Sequence, residues 1–493
     1  MILEEILKNL KNQGKNKAYT INNQSYSYEE LYRFVCNIYQ FILLNNKEKK
    51  PIMVYGNKEI YMKATFLACS FAGITYVPVD KSIPKERVDL IINQVNPYCI
   101  FGDYESKYCK NITKKQIYEL MENETFNEIN KIYLNANDIY YIIFTSGSTG
   151  TPKGVKVTYK NVDSCIKWLK EITKVDNDII LNQANFSFDL SVADLYLSIV
   201  SGSEQFILED SMVFNFLNIF KQLKQSDATI AIMTPSFADL LLLDKTFGKE
   251  ILPNLKTIVF CGEILLKATI QKLYLRFPNI KIINCYGPTE CTFAVTSIEI
   301  TNEILKQENI PIGKPKKDVE ILILDKNKKQ LSDNQIGEIL IIGESVADGY
   351  LGEVQEKTFI EYNGKKAYLT GDLGYWSNGN LYYKCRKDKQ IKYKGYRIEL
   401  LDIEKNLYDL NYFEKVKVIE KKSEKNKVIN LIAFVKLKTN INKTELEIKK
   451  ELALKIPEYM RPSIKILEKF PINSNGKTDI EKLRGLTDGR ENY

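Results

Sequence analysis
The chain has 493 residues, 44% of them hydrophobic and 27% charged, with a formal net charge of +8 and no histidine. Its length predicts roughly three or four folding units, and its composition is that of a soluble globular protein. The absence of histidine excludes a Ser-His-Asp triad, a His-ligated zinc and any imidazole proton shuttle.

Positive charge is interleaved with acids, as in "KKSEKNK" (421–427), so a solvated mixed surface is expected. No aromatic-interleaved basic motif appears, and nucleic acid is not an expected partner. A small acidic partner could still be steered to such a chain. The cysteines at 36, 69, 99, 109, 165, 261, 285, 291 and 385 form no C-x-x-C pair. That pattern predicts free thiols in a reducing compartment.

In chain order, "MILEEILKNLKNQGKNK" places apolar residues at 2, 3, 6, 7 and 10, an amphipathic helix without the basic start or cleavage site of a signal peptide. No apolar run approaches the roughly 18 residues of a membrane span, so a cytoplasmic location with no integral membrane segment is expected. "ATFLACSFAG" (64–73) reads as a helix leading through the strand "ITYVPVD" (74–80). "YYIIF" (140–144) then runs into "TSGSTGTPKG" (145–154), where backbone N–H groups, small hydroxyls and one lysine suit a polyphosphate. Lys153 lies between Pro152 and Gly154, which does not fit the P-loop spacing. Taken alone, the stretch reads more readily as a flexible Gly/Ser surface loop.

Asp189, in "FSFDLSV", stands at the start of a predicted helix, where an N-cap is the simplest role. The runs "DATIAIMTP", "LKTIVFCGE" and "IKIINCYGP" read as buried parallel strands between helices, indicating α/β layers. Cys261 by itself is a small core residue, and "YGPTE" (286–290) is a turn built on Gly287-Pro288. From about 310, "VEILILDKN", "GEILIIGES", "KAYLTGDLG" and "GNLYYKCR" predict closely spaced strands and a barrel-like region. After about 388 an α+β stretch follows: the strand "KQIKYKGYRIEL", the helix "LDIEKNLYDL", two strands, the helix "KTELEIKKELALKI" and the loop "INSNGKTD". A domain boundary is expected at 387/388.

Five motifs occur in one order: "FTSGSTGTPKG" (144–154), "FSFDLSVADLY" (186–196), "NCYGPTECT" (284–292), "YLTGDLGYWSNGNLYYKCRKDKQIKYKGYRIEL" (368–400) and "NSNGKTD" (473–479). Together they resemble the adenylate-forming (AMP-binding) superfamily of amino-acid-activating domains, acyl-CoA synthetases and luciferases, over nearly the whole chain. Within it, "YIIFTSGSTGTPKGV", "NQANFSFDLSVADLY", "TPSFADL", "FCGEIL" and "NCYGPTE" resemble the family of D-alanine:D-alanyl carrier protein ligases.

The resemblance implies an α/β N-terminal domain, 1–387, of two parallel-sheet subdomains plus a β-barrel-like subdomain, with a small α+β C-terminal lid, 388–493. It implies an ATP- and Mg²⁺-dependent ligase that makes D-alanyl-AMP. The acyl group would pass to the phosphopantetheine thiol of a small acidic carrier protein, for D-alanylation of teichoic acids. Acyl-adenylate formation needs no general base, because the attacking carboxylate is already ionised, so the chemistry suits a chain without histidine.

By the same resemblance, Thr145, Ser146, Gly147, Ser148, Thr149 and Lys153 surround the phosphates, and Tyr286 stacks on adenine beside Asn284, Cys285, Gly287, Pro288 and Tyr383. Thr289 meets the α-phosphate, Glu290 holds Mg²⁺, and Asp372 with Arg386 holds the ribose. Asp189 pairs with the substrate ammonium, while Leu190, Cys261, Cys285, Phe293 and Ala294 line an apolar pocket in which Cys261 favours the D enantiomer. Lys477 is the catalytic lysine of the lid, reaching the substrate carboxylate and α-phosphate. Asp388 is the hinge, whose rotation turns Gly395 and Arg397 to the active site.

The chain departs from the family pattern where Cys385 replaces a glycine, where Phe293 replaces a smaller aliphatic residue, and where a histidine common after the phosphate loop is missing. An alternative is a stand-alone peptide-synthesis adenylation enzyme for another small amino acid. An acyl-CoA synthetase would leave Asp189 unpaired, and a scaffold would need none of Lys153, Glu290, Asp372 and Lys477. The chain ends 16 residues past Lys477, so a carrier acting in trans is expected; a monomer is expected as well.

Overall fold
A computed structural model describes residues 1–147, 150–209, 216–352, 358–388, 390–423, 427–471 and 478–487, with only the backbone of Phe216. They form two compact units. One comprises Met1–Lys81, Ile92–Phe144 and Gly154–Lys387; the other comprises Ser82–Ile91, Thr145–Lys153 and Asp388–Tyr493.

The first unit is built on two largely parallel sheets. The nine-stranded sheet runs Lys314–Pro315, Thr296–Glu299, Lys281–Tyr286, Thr257–Phe260, Ile230–Met233, Ile179–Asn182, Glu204–Ile207, Lys17–Ile21, Gln24–Ser27, and every pair from Lys281–Tyr286 to Lys17–Ile21 is parallel. All of "TIVF" (257–260) is buried, as a parallel strand covered on both faces requires. The six-stranded sheet runs Lys110–Ile112, Cys99–Phe101, Ile52–Gly56, Tyr76–Asp80, Ile139–Thr145, Lys153–Thr158. Helices Ile60–Ala72 and Leu190–Val200 are buried at every position, so they are central core helices and not half-exposed ones. The predicted N-terminal helix spans Ile2–Asn12 and buries Ile2, Leu3, Ile6 and Leu10.

Each of those central helices carries an ionisable group without exposure, Lys63 on the first and Asp194 on the second. Lys63 Nζ donates to Gln205 Oε1 (2.9 Å), and Gln205 Nε2 and Asn182 Nδ2 donate to Asp194 Oδ1 (2.6 and 2.8 Å). Burial pushes the Lys63 ammonium down to about 7 and the Asp194 carboxyl up to about 7.

The strand-rich stretch forms an antiparallel five-stranded sheet: Val319–Leu324, Gly337–Gly343, Lys365–Ser377 and Phe359–Tyr362, with Asn380–Arg386 also pairing Lys365–Ser377. Cys385 sits opposite Leu373 in this ladder, an extended position that needs no glycine.

In the second unit, the single strand expected over 389–400 is instead a hairpin, Gln390–Tyr393 paired with Tyr396–Glu399. The chain reverses at Lys394 (φ 52°) and Gly395 (φ 85°), the two positive φ angles a tight hairpin turn requires. A lysine in the first of those places conceals the signal that Asn-Gly or Asp-Gly would give. The unit continues through helix Leu400–Tyr408, strands Phe413–Lys422 and Val428–Leu437, helix Glu445–Leu452 and strand Ser463–Ile466. Ile398, Ile403, Leu407, Leu431, Ile448 and Met460 belong to a core of its own. Thr444 caps helix Glu445–Leu452 reciprocally with Glu447.

Candidate active site
In the first unit, most of the expected residues gather where strand Lys281–Tyr286 ends. Asn284 is fixed by its Nδ2, which donates to the Pro311 carbonyl (2.9 Å). The chain then turns at Gly287-Pro288 into a short 3-10 helix, Thr289–Cys291. A Cβ on Gly287 would lie 2.6 Å from Ala294 Cα and 2.8 Å from the Phe293 carbonyl oxygen, so the glycine is required by close approach of backbone.

Thr292 and Phe293 follow with φ of 60° and 69°, and the Ala294 N–H donates to the Thr292 carbonyl (2.8 Å). A hydrogen bond from i+2 to i around a residue with positive φ is the strained form of the γ-turn. A bulky residue held there costs about 1–3 kcal/mol. The turn aims the Phe293 carbonyl at Cys261, whose thiol donates to it (3.7 Å, S to O). Leu190, Cys261, Cys285, Phe293 and Ala294 are all buried and share one hydrophobic cluster. Burial pushes the Cys285 thiol well up, followed by the nearby Cys261 and Cys165.

Asp189 takes the N-cap position of helix Leu190–Val200, but its side chain makes no capping hydrogen bond. The simplest structural role for this carboxylate is therefore unfilled.

On the nucleotide side, the Tyr286 hydroxyl donates to Asp372 Oδ2 (2.7 Å), and Arg386 Nη1 donates to Oδ1 (2.8 Å). Asp372 is 1% exposed and faces Arg386 across the ladder between Lys365–Ser377 and Asn380–Arg386. Each carboxylate oxygen keeps acceptor capacity beyond these contacts. Burial, then Asp372, pushes the Tyr286 hydroxyl well up. Tyr383 packs against the cluster that contains Tyr286.

Glu290 is 1% exposed, and its Oε1 accepts from the Tyr350 hydroxyl (2.7 Å), which lies 3.5 Å from that of Tyr368. Among the described residues no group of three or more His, Cys, Asp and Glu could hold a metal ion. A hard cation here would have one protein carboxylate and draw its other ligands from water and substrate phosphate, a usual arrangement for Mg²⁺. The donor set fits.

In the second unit, Ser146 Oγ donates to the Arg397 carbonyl (2.9 Å) and accepts from the Glu399 N–H (3.2 Å). A Cβ on Gly147 would lie 2.1 Å from the Thr151 carbonyl oxygen, so the loop folds tightly on itself. Lys153 is buried at the head of strand Lys153–Thr158. Burial raises the Glu399 carboxyl, opposed by Gln390, Arg397 and Lys153. Thr145 ends the preceding strand, and Asp388 accepts from the Gln390 N–H (3.1 Å). Ser148, Thr149 and Lys477 lie outside the described residues.

Sequence reasoning did not single out Tyr350, the partner of Glu290, or Tyr141 and Cys165, on both of which burial and then the Asp189 charge, among others, act to raise the proton affinity. With 31 tyrosines in the chain, residue type alone could not mark any of them.

A family model described as AMP-binding enzyme matches residues 7–351. The D-alanine--D-alanyl carrier protein ligase of Bacillus licheniformis is 38% identical over 499 residues, 98% of this chain and 99% of that protein. The ligase of that name from a Bacillus cereus strain is 40% identical over 453 residues, 88% of this chain and 89% of its own length. Among solved structures, the Vibrio cholerae adenylation domain AlmE in complex with glycyl-adenosine-5'-phosphate matches with a TM-score of 0.83 at 21% identity, covering 99% of this chain and 98% of its own. The o-succinylbenzoate CoA synthetase (MenE) of Bacillus subtilis matches with a TM-score of 0.83 at 19% identity, over 97% and 98%. These two structures share the fold of this chain. Among the described residues no helix is long and apolar enough to cross a membrane.

Proposed function
The chain belongs to the AMP-binding enzyme family, and from that premise we propose that it activates D-alanine with ATP and loads it onto a carrier protein. The carrier would be small and acidic, act in trans, and serve D-alanylation of teichoic acids, with the enzyme a cytoplasmic monomer. The observation that carries this reading is the end-to-end identity with ligases of that name, 38% over 98% of the chain. Asp189 supports it physically: a carboxylate not used as a helix cap, at the pocket of Leu190, Cys261, Phe293 and Ala294, suits an ammonium beside a small apolar side chain.

In the first half-reaction the D-alanine carboxylate attacks the α-phosphorus of ATP, the bond to pyrophosphate breaks, and D-alanyl-AMP forms. No proton must move, so positioning and charge neutralisation do the work. Asp189 holds the ammonium, and Cys261, fixed by its bond to the Phe293 carbonyl, walls the pocket against the other enantiomer. Tyr286, Asn284, Cys285, Gly287, Pro288 and Tyr383 surround adenine. Asp372, already oriented by Tyr286 and Arg386, takes the ribose hydroxyls. Thr289, the donors at 145–149, Lys153 and Lys477 meet the phosphates. Glu290, oriented by the Tyr350 hydroxyl, would hold Mg²⁺, which when bound offsets phosphate charge.

In the second half-reaction the carrier's phosphopantetheine thiol attacks the acyl carbonyl and AMP leaves. Residues 388–493 would act as a lid hinged at Asp388, a division that their separate hydrophobic core supports.

Amino-acid-dependent ATP–pyrophosphate exchange with D-alanine, L-alanine, glycine and both serines, on the parent and Cys261→Ala, tests the reading. Strong exchange with D-alanine over L-alanine, narrowed in Cys261→Ala, is expected. Buried Phe293 beside Cys261 is the one feature favouring another small amino acid. Preferred exchange with glycine or serine would replace D-alanine by the peptide-synthesis alternative.

A further inference from the structure
Lys58 is 1% exposed, and with Lys63 it is one of the two most deeply buried lysines among the described residues. Lys63 makes its shortest bond to the Gln205 side chain. Lys58 Nζ donates instead to two main-chain carbonyls, those of Gln183 (2.9 Å) and Leu208 (3.0 Å). Gln183 and Leu208 are the first residues past the neighbouring parallel strands Ile179–Asn182 and Glu204–Ile207. Lys58 itself lies just past the carboxyl end of strand Ile52–Gly56, and the Tyr19 hydroxyl donates to its carbonyl. An ammonium is costly to take out of water. Carbonyl oxygens from two adjacent strand ends offset that cost only when held at one spacing, so the ammonium and the strand ends fix one another.

Strand Ile179–Asn182 lies between Glu204–Ile207 and Ile230–Met233, the next two strands in the chain, so the order of the sheet reverses beside it. Open parallel sheets take ligands at the carboxyl ends beside such a reversal. Residues 183–189 run from that edge to Asp189 and form neither strand nor helix. No repeating ladder keeps them in place; discrete contacts do. Asn182 Nδ2 donates to the Ala184 carbonyl (3.1 Å), Phe186 meets Phe66 edge-on with ring centroids 5.7 Å apart, and the Phe188 N–H donates to the Asn185 carbonyl (2.9 Å). The Lys58 bond acts at the first residue of this segment.

We propose that Lys58 is a positioning residue of the amino-acid site: by holding the Gln183 carbonyl it fixes the course of residues 183–189, and so the place at which Asp189 meets the substrate ammonium. This rests on the reading of Asp189 given above. The Asp189 side chain makes no capping bond to its own helix, so the helix start does not by itself fix the carboxylate. A charge-assisted bond is sensitive to distance and direction, and a misplacement of about 1 Å at a site can cost about a hundredfold. The nucleotide residues Tyr286, Asp372 and Arg386 are placed by other strands, so the effect is confined to the amino acid.

Lys58→Met keeps most of the apolar stem and removes the ammonium. ATP–pyrophosphate exchange on the parent and this variant, with the amino-acid panel, reads KM and kcat; inhibition by propionate, which has no ammonium to meet Asp189, is the control. Expected is a rise of roughly tenfold or more in the KM of the activated amino acid, with kcat, the ATP KM and the propionate inhibition constant within about twofold of the parent. In an Asp189→Asn background the same substitution should change the amino-acid kcat/KM by no more than about twofold, because the carboxylate that Lys58 positions is gone. An unchanged amino-acid KM in folded Lys58→Met would overturn the proposal. So would a joint rise for amino acid, propionate and ATP, or an equal loss in both backgrounds, each of which marks a purely structural role. If Lys58→Met does not fold, Tyr19→Phe carries the test, since it removes only the hydroxyl that donates to the Lys58 carbonyl. A rise of about three- to tenfold confined to the amino-acid KM is then expected, and an unchanged KM overturns the proposal. Whichever amino acid the parent exchanges serves for these comparisons, so failure of D-alanine alone leaves the role of Lys58 standing or falling on its own result. A parent that exchanges no amino acid overturns the Asp189 reading and this proposal together.

Discussion

One buried pair from each unit shows charge handled in a different way, although the first unit also holds a direct pair, Arg386 with Asp372. In the second, Arg87 Nη1 and Nη2 both reach Asp402 Oδ2 at 3.1 Å, with the arginine side chain 8% and the aspartate 0% exposed. In the first, Lys63 and Asp194 are joined through the amide of Gln205, and Asp194 Oδ2 has no partner among the described residues. A guanidinium cannot shed its charge, so burying one demands a carboxylate against it. An ammonium and a carboxyl can both neutralise when desolvated, and Lys63 and Asp194 are each displaced to about 7. A neutral amide is then enough to connect them. Direct pairing is forced where a group cannot titrate, and a relay suffices where it can.

Breaking the direct pair should have the largest effect. Arg87→Ala leaves Asp402 buried and uncompensated, and urea denaturation should report a loss of about 3–5 kcal/mol. A loss under about 1 kcal/mol would mean that water reaches Asp402 and that the contrast is unreal.

Breaking the relay comes next. Gln205→Leu removes two hydrogen bonds to ionisable groups, and a loss on the order of 3 kcal/mol is expected in the same assay.

The titration itself gives a pH signature. Between the ordinary 3.8 of an aspartate and about 7, native Asp194 keeps a proton that the unfolded chain has released, so stability falls as pH rises through that window. Between about 7 and 10.5 the unfolded chain keeps a proton that native Lys63 has released, so stability rises again. Each limb has a slope of at most about 1.4 kcal/mol per pH unit. Subtracting the profile of Asp194→Asn from that of the parent should isolate the acid limb; parallel profiles would show that Asp194 is not displaced.

The smallest effect should come from replacing the direct pair as a whole. Arg87→Met with Asp402→Leu is expected to stay within about 1 kcal/mol of the parent, because both desolvation costs vanish with the attraction. Calorimetric melting of the double variant beside Arg87→Ala checks it.

Local chemistry made much of the site legible. "TSGSTGTPKG" follows a strand as expected, and Gly147 is needed because Thr151 comes so close. "YGPTE" was legible as a turn, and the structure adds why its glycine is needed: Phe293 and Ala294 press against it. The hairpin at 390–399 was hidden because Lys394 occupies a position where sequence offers no warning of positive φ. Asp189 fell at a helix start as predicted, but only the folded chain shows that it makes no capping bond. Tyr350 was invisible because its meaning lies in what it faces, Glu290, and not in its neighbours along the chain.

By itself the sequence determined the order of helices and strands, the order of the motifs, and a chemistry without imidazole, because periodicity, capping and residue type act over a few positions. Only the tertiary structure decided which tyrosine meets Glu290 across 60 residues, which arginine meets Asp402 across 315, and where Cys261 finds the carbonyl of Phe293. Those contacts depend on close packing between segments remote in the chain, where a side chain's partner is set by the shape of the assembled core and by the cost of leaving a buried polar group unpaired.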